Sequence, residues 1–325
     1  MAGNQQHPSL FKPTDLVPPD AQAPIEMKMG SHGFFQLLGW MGKDSLGEFN
    51  HEYLPITGYK PFVDETTKLL FSGTRALAEQ RIASCQSLSG TGALLLIGLA
   101  LRRLNDISKT IYITNPTWVN HKAIFTTIGF EVGELPCYKD GMFNFDAYIG
   151  SLKDVTPGSS VVLHTCAHNP TGCDPTREQW KAIGATIVEK KLYPIFDSAY
   201  LGFNSGSFDD DAWPIRYFLK NLGIEFAVCL STVKNMGLYG ERIGLVTCVL
   251  PTASAAQVAT SVLQKVQRSA ITAPPAYGAR VAAQVLGTPP IREQWAKDLV
   301  AMSSRLRAVR RQLYEELVRL ETPGD

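Results

Sequence analysis

The feature that most constrains this chain is the alternation of short, continuously apolar segments with helical ones. β-like runs stand at Ile82–Leu88, Thr110–Thr114, Ser160–Thr165, Tyr193–Asp197, Phe226–Ser231 and Ile243–Leu250. Most are apolar throughout rather than alternating, the pattern of strands buried on both faces. Helical patterns lie between most of them, at Gly92–Leu104, Trp118–Ile128, Arg177–Lys190 and Ala212–Leu222, and another precedes them at Lys60–Phe71. A βαβα order of this kind predicts an α/β fold: a largely parallel sheet sandwiched by helices. From Ser254 onward the pattern is helical only. Ile291–Leu320 reads as one amphipathic helix, about 45 Å long at 1.5 Å per residue, which suggests a bridge toward a second domain.

Composition narrows the class. The 325 residues are 45% hydrophobic and 19% charged, enough apolar material for a sizeable core. The formal net charge of +1 gives no electrostatic case for nucleic acid or an anionic membrane. The longest apolar run, Ala93–Leu101, is far short of the ~20 residues that span a bilayer. The six cysteines (Cys85, Cys137, Cys166, Cys173, Cys229 and Cys248) form no C-x-x-C pair and read as small buried hydrophobes rather than disulfides or metal ligands. The proline-rich start, residues 1–30, reads as an extended arm without secretory or mitochondrial signal character, so the cytoplasm is expected.

In sheets of this class, ligands sit beyond the carboxyl ends of the strands. After the first run, Ser89-Gly90-Thr91-Gly92 opens a helix read as starting at Ala93; glycines, hydroxyls and a helix N-terminus suit a phosphate. After the second comes Trp118, able to stack on a flat ligand. After the third, His164-Thr165-Cys166-Ala167-His168 leads into Asn169-Pro170-Thr171-Gly172, where Asn169 offers a neutral donor; the two histidines are not read as a metal pair, and no metal is expected. After the fourth, Asp197 is a carboxylate at the end of a buried strand, costly without a cationic partner. After the fifth, Lys234 is placed to lose its proton by desolvation and act as a nucleophilic amine, flanked by Ser231 and Arg242. Singly, each has an ordinary structural reading as a cap, turn or surface residue. Jointly they ask for one ligand: a phosphate, a flat ring with a basic nitrogen facing Asp197, an oxygen near Asn169 and Tyr200, and an aldehyde for Lys234. Pyridoxal 5′-phosphate has all of these parts.

The motifs Glu52-Tyr53-Leu54-Pro55-Ile56-Thr57-Gly58, Ser87–Leu94, Asn115–His121, His164–Trp180, Phe196–Phe203 and Ser231–Gly244 resemble, in order, those of the aspartate aminotransferases, class I aminotransferases of pyridoxal-phosphate fold type I. With a weaker helical match after them, the likeness covers about residues 50–320. It implies a mostly parallel seven-stranded sheet flanked by helices, with a truncated small domain. It implies an L-aspartate:2-oxoglutarate transaminase of amino-acid metabolism, with Lys234 forming the internal aldimine and shuttling the proton. Asp197 would hold the ring nitrogen, supported by His121. Asn169 and Tyr200 would bond the ring oxygen, Trp118 would stack, and Ser89, Gly90, Thr91, Ser231 and Arg242 would hold the phosphate. Tyr53 would reach another subunit's phosphate and Arg268 another subunit's substrate carboxylate, so the resemblance implies a homodimer with shared sites. Trp118 and Asn169 would also border the substrate.

The implied layout is an N-terminal arm and small-domain remnant at 1–49, a large cofactor-binding domain at 50–289, and a connecting helix with the start of a truncated small domain at 290–325. Three features depart from the family. Thr272-Ala273-Pro274-Pro275 stands where Ser-Asn-Pro-Pro is usual. A Gly-Val-Gly-x-Tyr-x-Asp segment is missing between Met27 and Asn50, and no arginine matches the one for the substrate α-carboxylate. Alternatives are an aminotransferase for an aromatic or other amino acid, or a catalytically weak cofactor-binding homologue. A long helix with no domain beyond it is expected to expose apolar surface.

Overall fold

The computed structural model describes residues 52–322; the expected arm and small-domain remnant at 1–49 lie outside them. In chain order the elements are α1 (Lys60–Leu70), β1 (Ile82–Leu88), α2 (Ser89–Arg102), β2 (Thr110–Asn115), α3 (Asn120–Thr127) and β3 (Glu131–Pro136). A small hairpin, β4 (Tyr138–Lys139) and β5 (Met142–Phe143), leads into α4 (Phe145–Asp154), β6 (Ser160–His164), α5 (Arg177–Glu189) and β7 (Tyr193–Ser198). Then come α6 (Phe208–Asp211), α7 (Trp213–Tyr217), β8 (Phe226–Ser231), β9 (Ile243–Val249), α8 (Ala253–Ala270), α9 (Tyr277–Gly287) and α10 (Pro289–Arg319). Seven strands form one sheet in the order β1-β9-β8-β7-β6-β2-β3. All neighbours run parallel except β9, which is antiparallel to both β1 and β8. The α/β class and its mostly parallel seven-stranded sheet are therefore as the sequence implies.

Strand composition explains the layering. Along β6 to β9 nearly every residue is buried, and successive side chains enter opposite cores. Phe196, Val228, Leu230 and Leu245 join Phe62, Leu70 and Phe218 on one face. Ile195, Ala227, Cys229 and Val246 join Leu94, Ile97, Leu101 and Val262 on the other. Five cysteines are buried and Cys173 is half-buried; all are free.

Three details correct the sequence reading. The helix after β1 begins at Ser89, not Ala93, so the Ser-Gly-Thr-Gly stretch is its first turn. The apolar run located the helix body, but the polar first turn carries no such signal. The segment Ala212–Leu222 is not one α-helix: α7 passes into a π-helical turn at Phe218–Leu222, closed by left-handed Gly223. Finally, β3 and α4 lie where the sequence reading placed no element. β3 is an edge strand that buries only Leu135, so it lacks the continuous apolar signature.

The turn from β1 into α2 depends on one close approach. Ser89 takes a left-handed backbone (φ 60°), and Gly244 on β9 passes directly beneath it. A Cβ on Gly244 would collide with the Leu230 carbonyl oxygen and lie 2.6 Å from the Ser89 carbonyl carbon. Both neighbours are backbone, one in β8 and one in the first turn of α2, so neither can give way, and only glycine fits.

α10 divides into two halves. Trp295, Leu299 and Ser303 are buried against the body, and the Trp295 indole N–H donates to the Asn235 carbonyl oxygen at 2.7 Å. Beyond them Leu306, Val309, Leu313, Leu317 and Leu320 recur at three and four residues and are all exposed. Among the described residues nothing covers this stripe, which matches the expected apolar exposure. No helix among them is long and apolar enough to cross a membrane.

Candidate active site

A cleft of about 260 Å³ opens at the carboxyl ends of β6, β7 and β8 and the N-terminus of α2. It is lined by Ser89, Gly90, Thr91, Trp118, Asn169, Asp197, Tyr200, Ser231, Lys234 and Arg242. These ten come from five separate stretches of sequence, and the sequence alone names every one. His164, Ala199, Val233 and Tyr239 also line it.

At one end the donors gather. α2 begins at the cleft without a capping side chain, because its N-cap residue is Leu88. The first-turn N–H groups of a helix have no partner within it, so they and the helix dipole face the cleft. The Ser89 and Ser231 hydroxyls meet at 2.9 Å. Gly90 keeps the wall thin: a Cβ there would touch Ser231 at 3.4 Å and approach Asp197 Oδ1 at 3.9 Å. Arg242, in a left-handed backbone after the turn Tyr239–Glu241, adds a permanent cation. With two hydroxyls, free amides and a guanidinium, this end suits a phosphate dianion.

At the other end is a buried carboxylate. Asp197, the next-to-last residue of β7, is 7% exposed. It takes one hydrogen bond from a side chain that sequence reading assigned to it: His121 Nε2 lies 2.9 Å from Asp197 Oδ2, and His121 is fully buried. Burial by itself raises the Asp197 carboxyl. The hydrogen bond and electrostatic attraction of His121, then His164 and Lys234, outweigh it and hold the group below its ordinary value. Asp197 is therefore an anion at neutral pH.

A relay extends behind it. The Thr117 hydroxyl touches both His121 Nδ1 at 2.8 Å and His164 Nε2 at 3.1 Å, and the Asn169 backbone N–H points at His164 Nδ1 at 3.5 Å. The backbone N–H can only donate and the carboxylate only accept. A continuous run of donors fits these ends: Asn169 N–H to His164, His164 to Thr117, Thr117 to His121, His121 to Asp197. Each imidazole is neutral in that arrangement. His121, His164 and Asp197 lie close enough to hold a cation, but their facing atoms are engaged in this relay. His168 stacks on His164 with centroids 4.2 Å apart and bonds Thr114 and Thr171 through its two nitrogens. Sequence reasoning missed Thr117 and the role of His164. A Thr between Pro116 and Trp118 gives no local signal of contact with a strand 47 residues away.

Lys234 follows β8 by three residues. Its Nζ lies 3.6 Å from the centre of the Tyr200 ring. The turn that carries it is braced by its neighbour: Asn235 Nδ2 donates to the Leu201 carbonyl, and the Asn235 carbonyl receives the Trp295 indole. The Asn169 turn is pinned by Asp174, which accepts the Ala167 and His168 N–H groups at 2.7 and 2.9 Å.

Tyr53 and Arg268 do not line this cleft. Tyr53 is 66% exposed, and Arg268 is exposed in the last turn of α8. They were expected to serve another subunit's site rather than their own.

The paired histidines set a pH dependence for stability. Burial pushes His164 down to about 3, with Asp197 opposing and His168 and His121 assisting; burial and His121 push His168 down to about 4. The unfolded chain protonates both below about pH 6.5, while the folded chain keeps them neutral until pH 3–4. The unfolded state therefore binds more protons in that window, and stability falls as pH drops from 6.5. At pH 5 the loss is on the order of 2 kcal/mol per histidine, lowering the melting temperature by roughly 10 °C relative to pH 7.5. Thermal melts across pH 5–7.5 check this; His164→Asn should about halve the slope, and an unchanged slope would count against it.

The comparisons agree with the geometry. Residues 42–324 match the family model described as aminotransferase class I and II. The chain is 42% identical over 281 residues to the cytoplasmic aspartate aminotransferase of Schizosaccharomyces pombe, covering 85% of this chain and 68% of that protein. It is 41% identical to the cytoplasmic aspartate aminotransferase of Saccharomyces cerevisiae, covering 98% of this chain and 83% of that one. The solved Saccharomyces cerevisiae cytoplasmic enzyme superposes with a TM-score of 0.83 at 39% identity, over 87% of this chain and 70% of that one. An aromatic-amino-acid aminotransferase from Burkholderia pseudomallei, covalently bound to pyridoxal phosphate, superposes with a TM-score of 0.82 at 35% identity, over 86% of this chain and 70% of that one. With its fold, its cleft and these likenesses in agreement, the chain belongs to the class I and II aminotransferases, enzymes that work with pyridoxal phosphate.

Proposed function

We propose that this chain transfers an amino group between L-aspartate and 2-oxoglutarate. The observation that carries the reading is the convergence of ten residues, from five stretches, on a single cleft with a donor-rich end and a carboxylate end. When bound, pyridoxal phosphate supplies an aldehyde that captures amines and a ring that accepts electrons from the substrate α-carbon. The chain's own residues do the rest. Ser89, Gly90, Thr91, Ser231 and Arg242 bind the phosphate and fix the position of the ring. Trp118 would pack against the ring. Asp197, kept ionised by His121, holds a proton on the ring nitrogen. Asn169 and Tyr200 donate to the ring oxygen. Lys234 would offer the amine that anchors the cofactor and would carry the substrate α-proton.

Tyr53 and Arg268, both exposed and both outside their own cleft, are assigned to the other cleft of a homodimer, Tyr53 to the phosphate and Arg268 to the substrate side chain. We take 50–289 as the cofactor-binding domain and 290–325 as the connecting helix and the start of a small domain. The cytoplasm is the proposed location, in keeping with the cytoplasmic relatives.

A second reading, an aromatic or other amino donor, draws on the likeness to the Burkholderia pseudomallei enzyme and on Thr272-Ala273 beside Arg268. A spectroscopic titration separates them. Protein reconstituted with pyridoxal phosphate is expected to show a visible band that shifts on adding aspartate or glutamate. A shift only with aromatic donors selects the second reading. A band that no amino acid shifts defeats both.

A further inference from the structure

One buried residue joins the segment that carries Tyr53 to the loop that follows Arg268 and to the end of α8. Gln86 lies on β1, fully buried, three residues before the Ser89 turn. Its Oε1 accepts the Tyr59 backbone N–H at 2.9 Å, and its Nε2 donates to the Pro275 carbonyl at 2.8 Å. Its main chain is used as well. The Gln86 N–H donates to the Thr57 carbonyl at 2.9 Å, and its carbonyl accepts Gln267 Nε2 at 2.7 Å. Gln267, also fully buried, is the neighbour of Arg268 at the end of α8. Gly58, with φ +98°, presses on this side chain so closely that a Cβ would collide with the Gln86 Cβ. The segment 52–59 and the loop 271–276 therefore meet at residue 86.

We propose that Gln86 is a positioning residue that sets Tyr53 and Arg268 together. The inference rests on the reading of those two as residues given to the other subunit's cleft. An extended segment and a loop have no secondary structure to hold them in register with each other. A single amide can do so because it offers both an acceptor and a donor in a site closed to water. Both side-chain bonds go to backbone, at Tyr59 and at Pro275, and the end of α8 that presents Arg268 is tied to the same residue through Gln267 on the Gln86 carbonyl. An apolar side chain of the same length fills the volume and makes neither bond.

The test is Gln86→Met in the full chain reconstituted with pyridoxal phosphate. Hydrogen exchange read by mass spectrometry is expected to show peptides covering 52–59 and 271–276 losing protection together, by roughly tenfold, while peptides at 195–201 and 228–234 keep theirs. In steady state, KM for aspartate is expected to rise about tenfold with kcat nearly unchanged, and KM for a neutral aromatic donor to stay put. Gln267→Met keeps the test decisive if the first variant folds poorly. It removes a bond on the Arg268 side only, so 271–276 should loosen and 52–59 should not. Loosening of one segment alone in Gln86→Met, uniform loosening of the whole chain in either variant, or equal KM changes for both donors would overturn the proposal. If the wild-type chain transaminates neither donor, that result counts against the proposed function, and the exchange pattern still decides the role of Gln86.

Discussion

Lys234→Ala is expected to abolish the visible band of the bound cofactor and to lower transamination by at least about 10⁴-fold. Lys234 is the sole amine among the residues that line the cleft; the other cation, Arg242, carries a guanidinium that stays protonated and cannot act as a nucleophile. The variant therefore loses both the covalent anchor and the base, and no neighbour can substitute. Its fold should survive. Lys234 is only partly buried, and the turn around it is held by Asn235 through the Leu201 carbonyl and the Trp295 indole. The phosphate end is also untouched, so the cofactor should still bind, reversibly and without the band. Lys234→Arg should not rescue activity, since it restores charge but not a nucleophilic amine. Equilibrium dialysis against pyridoxal phosphate, absorbance and initial rates measure the three parts. Turnover within about tenfold of the wild type would remove Lys234 from the chemistry.

How much of this could be read in the sequence depends on the kind of signal. The continuously apolar runs at Ser160, Tyr193, Phe226 and Ile243 marked central strands because burial on both faces leaves a one-dimensional trace. β3 left none: as an edge strand it needs only one buried residue, Leu135. The cleft residues were legible because a parallel sheet delivers them just after each strand end, which is a position in sequence as well as in space. Ser89, Asn169, Asp197 and Lys234 were found in that way. The relay was not. Thr117 meets His164 across 47 residues, and such contacts follow from which strands are neighbours; the sheet order β6, β2, β3 is not the order in the chain. Gln86 was invisible for a related reason. A glutamine in an apolar strand has no motif, and its meaning comes from two backbone groups, at Tyr59 and Pro275, that only the folded chain brings together.

Asp197 yields the second large effect, and it separates chemistry from stability more cleanly than Lys234 does. Asp197→Asn keeps the shape and leaves an oxygen to accept the His121 Nε2–H, so the relay through Thr117 and His164 persists. What disappears is the charge. The His121 imidazole is neutral in the relay, so removing the carboxylate strands no buried cation, the situation in which a broken buried pair costs most. The asparagine variant should therefore melt within a few degrees of wild type. Activity should fall by about 10²–10⁴-fold, because an amide cannot hold a proton on the ring nitrogen and the ring becomes a weak electron acceptor. Asp197→Ala differs: it leaves the His121 N–H without a partner in a dry site, adding a stability loss of about 1–3 kcal/mol to the same catalytic defect. The pH behaviour sharpens the contrast. The depressed Asp197 carboxyl contributes stability above its unfolded value near 4 and loses it as pH falls further. The asparagine variant should lack only that most acidic part of the transition and keep the histidine-driven loss between about pH 6.5 and 4. Rates for the two variants and melts taken from about pH 2 to 8 decide the matter: an asparagine variant with near wild-type turnover would mean that the ring nitrogen is served by some other group.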